Sequence, residues 1–174
     1  MVVCSFYGGG GSAVAKRLAA IGGWRHIDVY EQTAHRLGWH RGQAGWPVER
    51  PAWADASHAV LSHALQRSAA PIIGLTDGCW LPEDTLDLVR RCADIVCIER
   101  DWLELQERVL AAIETHPERL PEFNGHPYPD LHTLRLMHAE RTGLYNAAAI
   151  RVQAKGPSSG VLANRVHRAL TKMR

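Results

Sequence analysis

The stretch VVCSFYGGGGS at residues 2–12 sets a short apolar run, Val2 to Tyr7, directly against four consecutive glycines, Gly8, Gly9, Gly10 and Gly11, followed by Ser12. Beyond it, Ser12 to Ile21 has helical periodicity, with Val14, Leu18 and Ile21 on one face and Gly22-Gly23 as a stop. The pattern is a strand, a tight turn and a helix. Backbone N–H groups in such a turn can approach an anion closely, and the helix N-terminus adds a favourable dipole and free donors. A glycine run serves equally well as a flexible turn, so the motif alone leaves both readings open.

Outward from this corner, short apolar runs alternate with longer amphipathic ones, as expected of βα units around a parallel sheet. Arg25 to Val29 reads as a second strand and Glu31 to Leu37 as a short helix ended by Gly38. Gly38 to Pro51 (GWHRGQAGWPVERP) shifts to Gly, Pro and Trp and reads as an irregular insertion. Trp53 to Arg67 is helical, Pro71 to Thr76 a strand, and Pro82 starts a helix through Leu86, Val89 and Cys92. Asp94 to Glu99 is a fourth strand and Trp102 to Ile113 a helix. The prolines of HPERLPEFNGHPYPD at 116–130 forbid regular structure. Leu131 to Arg141 (helix), Ala149 to Gln153 (strand) and Ser159 to Met173 (helix) close the chain. The expected architecture is α/β: a three-layer α/β/α domain on a five-stranded parallel sheet.

With 174 residues, 46% hydrophobic and 22% charged, the chain is long enough to bury one core and is expected to form one domain over 1–174. Twenty Lys and Arg against eighteen Asp and Glu leave a formal charge of +2, well short of the positive field that phosphate-backbone binding needs, so no nucleic-acid partner is expected. No stretch approaches a membrane span, and the first residues carry no basic segment ahead of an apolar run. Four cysteines, at 4, 79, 92 and 97, are too sparse for a disulfide framework, and the expected compartment is the cytoplasm. Six tryptophans beside two phenylalanines are anomalous. Trp39, Trp46 and Trp53 fall seven apart in or beside the irregular insertion, where Pro47 and Pro51 argue against a helical stripe.

The order of these features resembles the shikimate kinases, within the nucleoside-monophosphate-kinase-like P-loop proteins, over nearly the whole length. In that family GxxGxGKS/T follows the first strand, DxD ends the second, a Gly-Gly-Gly turn follows the third, an arginine-bearing lid comes later and an E-R-x-x-L-Y stretch lies near the end. The matching places are Ser5 to Ser12, Asp28-Val29-Tyr30, Asp77-Gly78-Cys79, Arg119, and Glu140-Arg141-Thr142-Gly143-Leu144-Tyr145. The resemblance implies a shikimate-kinase-like P-loop fold with a cap at 38–54 and a lid-like segment at 114–130. It also implies a phosphate loop of Gly8, Gly9, Gly10, Gly11 and Ser12, ATP and Mg²⁺ as cofactors, and Ser12 and Asp28 beside the metal. By the same resemblance Asp28 and Arg119 are catalytic, and Tyr30, Trp46, Trp53, Asp77, Gly78, Cys79 and Arg141 face the substrate.

The departures from the pattern are as informative. Gly11 stands where the loop lysine belongs and Ser5 where its first glycine belongs. Tyr30 replaces the second acid, the substrate-binding arginine that the family pattern places at about Trp53-Ala54 is missing, and Asp77 and Cys79 replace glycines. Phosphoryl transfer depends on positioning and charge neutralisation; a comparable arginine finger contributes about 10³ to 10⁵ in rate. Two readings follow. The chain is a small-molecule or nucleotide-binding pseudokinase with a degenerate Walker A motif and lost or strongly altered phosphoryl transfer. Alternatively it is an active, divergent ATP-dependent small-molecule kinase, or another biosynthetic enzyme on the same scaffold, acting on something other than shikimate. Added tryptophans where charged contacts are lost suggest a pocket remodelled for an apolar or aromatic small molecule, or a Trp-rich cap that meets a protein partner. They serve equally to pack the cap onto the sheet.

Several residues keep two readings. Lys16 lies about 6 Å along the helix from Ser12 at 1.5 Å per residue, and either reaches back to the phosphates or is simply solvated. Asp77, past the end of a central strand, accepts hydrogen bonds from a ligand or forms the turn. Cys79 is a nucleophile or a packing residue, while Cys92 and Cys97 are expected in the core. Glu99-Arg100-Asp101 is expected to start a helix. The spacings of His58 with His63 and of His132 with His138 do not suit two metal ligands on one helix face.

Overall fold

The computed structural model describes residues 1–6, 8–38, 50–66, 71–75, 83–115, 131–156 and 158–172. In chain order they form β1 (Val2–Ser5), α1 (Gly11–Gly22), β2 (His26–Asp28), α2 (Val29–Arg36), α3 (Arg50–Leu65), β3 (Ile72–Leu75) and α4 (Glu83–Cys92). There follow β4 (Ile95–Glu99), α5 (Trp102–Thr115), α6 (Leu131–Glu140), α7 (Thr142–Asn146), β5 (Ile150–Gln153) and α8 (Ser159–Lys172). The strands make one parallel sheet in the order β2-β3-β1-β4-β5. β1 is central, pairing Val2 with both Ile73 and Ile95.

A strand covered on both faces is apolar continuously rather than alternately, which is why VVCS and IVCI pack so well here. Successive β1 side chains enter opposite layers. Val2 and Cys4 join Leu61, Leu86, Val89, Leu105, Leu134 and Leu144 under α3 to α7. Val3 joins Val14, Leu18, Leu162 and Val166 beneath α1 and α8 on the other face. Leu18, fully buried, illustrates the scale: truncating such a leucine to alanine costs about 2–5 kcal/mol. The resulting α/β/α layering puts Ser5, Asp28 and Glu99 at the carboxyl ends of their strands, on one edge of the sheet.

The structure corrects several boundaries. β1 stops at Ser5 rather than Tyr7 because Gly9 N–H donates to the Phe6 carbonyl at 2.7 Å, folding the chain into a turn. Val29 belongs to α2, because the Asp28 carboxylate accepts the Glu31 N–H and caps that helix. α3 begins at Arg50, so the irregular insertion ends earlier than expected, and residues 50–54 of the expected 38–54 cap are helical. Pro51 sits in the first helical turn, where its missing N–H would have no partner in any case. Residues 39–49 of that insertion, and 116–130 of the lid-like segment, lie outside the described residues. The helix expected over Leu131 to Arg141 ends at Glu140, and a further short helix, α7, follows. Cys97 is buried as expected, but Cys92 is exposed: it ends α4 off the face that carries Leu86 and Val89.

Candidate functional site

Each glycine of the turn answers a separate requirement. Gly8 and Gly10 have φ of +71° and +83°, a region side chains disfavour. Gly9 and Gly11 face the Ser5 side chain. A Cβ at Gly9 would lie 2.7 Å from the Phe6 carbonyl oxygen and 2.8 Å from Ser5 Cβ, and one at Gly11 2.5 Å from Ser5 Oγ. Ser5 is buried, and its hydroxyl accepts the Gly11 N–H at 2.9 Å. Two turn amides, those of Gly9 and Gly11, are therefore satisfied inside the turn itself.

On the other side of the turn, Ser12 donates its hydroxyl to Asp28 Oδ2, while Asp28 Oδ1 holds the first turn of α2. Two hard oxygen donors meet there. Such a pair suits Mg²⁺, which takes one or two protein oxygens and completes its shell with water and phosphate oxygens. Among the described residues no group of three or more His, Cys, Asp or Glu side chains could hold a metal ion.

Arginines grip the turn from α5 and from two residues before it. Arg108 Nε donates to the Gly8 carbonyl at 2.6 Å, and Arg100 Nε to the Gly9 carbonyl at 3.3 Å. The Arg100 side chain is 3% exposed, pairs with Glu104 and donates to the Ala154 carbonyl, so it ties the turn to the end of β5. Burial, and then the charge of Arg100, lowers the Arg108 pKa from its ordinary value. Neither arginine is marked by any motif; their proximity to the turn is a product of the sheet order.

Beside the turn, the His138 ring lies 5.0 Å from Phe6, 5.8 Å from Trp102 and 5.6 Å from Tyr145. Burial, and then the neighbouring charge of Arg141, holds His138 below its usual pKa and favours the neutral ring. A pocket of about 200 Å³ is lined by Phe6, Arg100, His138 and Tyr145. A larger cavity of about 430 Å³ lies at the opposite edge of the sheet, among Trp24, Ile72, Ile95, Ile150 and His167, away from every residue singled out by sequence.

Of the sequence-predicted residues, the structure brings together Gly8 to Gly11, Ser12 and Asp28. Tyr30 packs against Trp53 with ring centroids 5.3 Å apart, and Trp53 is 1% exposed, part of a small cluster with Ala34 rather than of an open pocket. Arg141 lies between α6 and α7, its carbonyl accepting from Leu144 and Tyr145. Lys16 is exposed, and its charge acts on His26. Trp46, Asp77, Gly78, Cys79 and Arg119 fall outside the described residues. Sequence reasoning assigned Ser5 no contact, and it missed Arg100 and Arg108 as residues of the turn.

These features define a protein with a shikimate-kinase-like P-loop α/β fold. Among solved structures, shikimate kinase from Acinetobacter baumannii in complex with shikimate is similar at a TM-score of 0.78 and 14% identity, over 99% of this chain and 94% of that one. Shikimate kinase from Aquifex aeolicus matches at 0.72 and 17% identity, over 99% and 97%. That from Bacteroides thetaiotaomicron matches at 0.74 and 14%, over 98% and 97%. No protein-family model matches the chain, and no curated protein matches it in sequence. The scaffold is kinase-like. Among the described residues no helix is long and apolar enough to cross a membrane.

Proposed function

We propose that the protein is a pseudokinase on this scaffold, binding a nucleotide or other small molecule at the glycine turn with lost or strongly altered phosphoryl transfer. The carrying observation is the turn itself: Gly11 offers no cation, and its amide is bonded to Ser5 Oγ. Charge neutralisation beside a transferred phosphate is the larger part of such catalysis, so a turn without it is built for holding rather than transfer. Shikimate is not the ligand on this reading, since Tyr30 is packed on Trp53 and Ala54 stands where an arginine would be expected. Asp77, Gly78, Cys79 and Arg141 would line a remodelled pocket. Trp39 and Trp46 would supply an aromatic cap for the small molecule or for a protein partner. The protein would act in the cytoplasm, where nucleotides and small metabolites are found.

A second reading, an active and divergent ATP-dependent kinase, is favoured by one observation, the contact of Ser12 with Asp28. In that case Mg²⁺ would sit on the Ser12 hydroxyl and the Asp28 carboxylate, screening phosphate charge. Asp28 would serve catalysis by holding that cation, with Arg119 bringing positive charge from the lid-like segment. Calorimetry with ATP and ADP, with and without Mg²⁺, alongside a turnover assay over small alcohols and acids, separates the two. Binding without turnover is expected; tight ATP binding with turnover would sink the pseudokinase reading.

A further inference from the structure

The glycine that replaces a lysine and the serine that replaces a glycine are in contact. Ser5 ends β1 and Gly11 opens α1, six residues apart, yet a Cβ at Gly11 would fall 2.5 Å from Ser5 Oγ, 2.9 Å from Ser5 Cβ and 3.3 Å from Ser5 N. Contacts under 3 Å with a side chain held this deeply are not relieved by a small rotation, because Ser5 is 1% exposed and the contact with its Cβ does not move with χ1; a Cβ at Gly9 would meet the same Ser5 Cβ at 2.8 Å. A side chain at position 11 and a side chain at position 5 exclude one another.

The Ser5 hydroxyl also does something a glycine could not. It accepts the Gly11 N–H at 2.9 Å, one of the donors that the start of a helix otherwise presents to an anion. We infer that Ser5 and Gly11 are a coupled exchange, in which the buried Ser5 hydroxyl fills the hollow of the turn and determines how strongly the turn takes a phosphate. This inference deepens the pseudokinase reading by naming the residue that closes the site. A phosphate oxygen that is to bond the Gly11 amide must displace that hydroxyl. Lysine at position 11 cannot be restored alone.

The test is a cycle of wild type, Ser5→Gly, Gly11→Lys and the Ser5→Gly/Gly11→Lys double variant, each followed by thermal melting and by calorimetry with inorganic phosphate and with ADP. Gly11→Lys alone should melt below wild type and gain no affinity. The double variant should recover the melting temperature and bind ADP about tenfold more tightly than Gly11→Lys, a coupling that independent positions would not show. If Gly11→Lys alone is as stable as wild type and binds ADP as well as the double variant, the coupling is overturned. Should the double variant not fold, Ser5→Gly decides: tighter phosphate binding supports the inference, and unchanged binding overturns it. Turnover by the wild type would sink the pseudokinase reading while leaving this coupling to be judged on the cycle alone.

Discussion

The two sides of the glycine turn are held in different ways. On one side Ser12 and Asp28 meet as a hydroxyl and a carboxylate that suit a divalent cation. On the other, the buried Ser5 hydroxyl accepts the Gly11 N–H, so that amide is satisfied inside the turn. The difference teaches that the Ser12–Asp28 side and the Ser5–Gly11 side of the turn rest on separate supports. Asp28 is fixed by its second task, capping α2, which ties it to the fold whether or not it meets a ligand. No comparable structural task belongs to a lysine side chain at position 11.

If the Ser5–Gly11 side is as tightly constrained as the contacts indicate, Gly9→Ala should be the most damaging change, destabilising by about 3 kcal/mol in urea unfolding, because its methyl meets backbone at the Phe6 carbonyl. A loss below about 0.5 kcal/mol would mean that the turn relaxes readily. On the Ser12–Asp28 side, Asp28→Ala should cost about 1.5 kcal/mol through the lost cap and the lost Ser12 bond, and Asp28→Asn, which can still cap, about 0.5 kcal/mol. Equal losses for the two variants would show that charge rather than capping holds the aspartate in place.

The smallest effect concerns His26, two residues before Asp28. Burial lowers its pKa, Asp28 and Glu31 raise it, and Lys16 lowers it. With the folded value below the unfolded one, the unfolded chain takes up the proton more readily. Stability is therefore undiminished above about pH 6.5 and declines as pH falls below it. Lys16→Ala should raise the His26 pKa slightly in an NMR titration and change little else; an unmoved titration would place Lys16 away from this corner.

Much of the fold was legible because periodicity and punctuation agree in it. All five strands were placed within two residues at each described end, since a buried parallel strand announces itself as a short apolar run. α7 was missed because five residues containing Gly143 give no helical period. The start of α3 was placed at Trp53 rather than Arg50 because Pro51 looked like a breaker, whereas a proline in the first turn of a helix breaks nothing. Ser12 and Asp28 were legible as chemistry at a turn and at a strand end. The Ser5–Gly11 contact was not, because six residues of chain reveal nothing about how closely a turn closes. Arg100 and Arg108 reach Gly9 and Gly8 from 91 and 100 residues away, and no local pattern carries that information.

Those long separations also bear on how the molecule is made. β1 is the middle of the sheet and precedes both its partners, β3 and β4, in the chain, and the arginine that links the turn to Ala154 must wait for the end of β5. Loop-closure entropy must be overcome before such pairings form, so parallel sheets of this connectivity fold slowly. The glycine turn is thus born early and set late: during translation, VVCSFY is an unpaired apolar segment that waits for its neighbours.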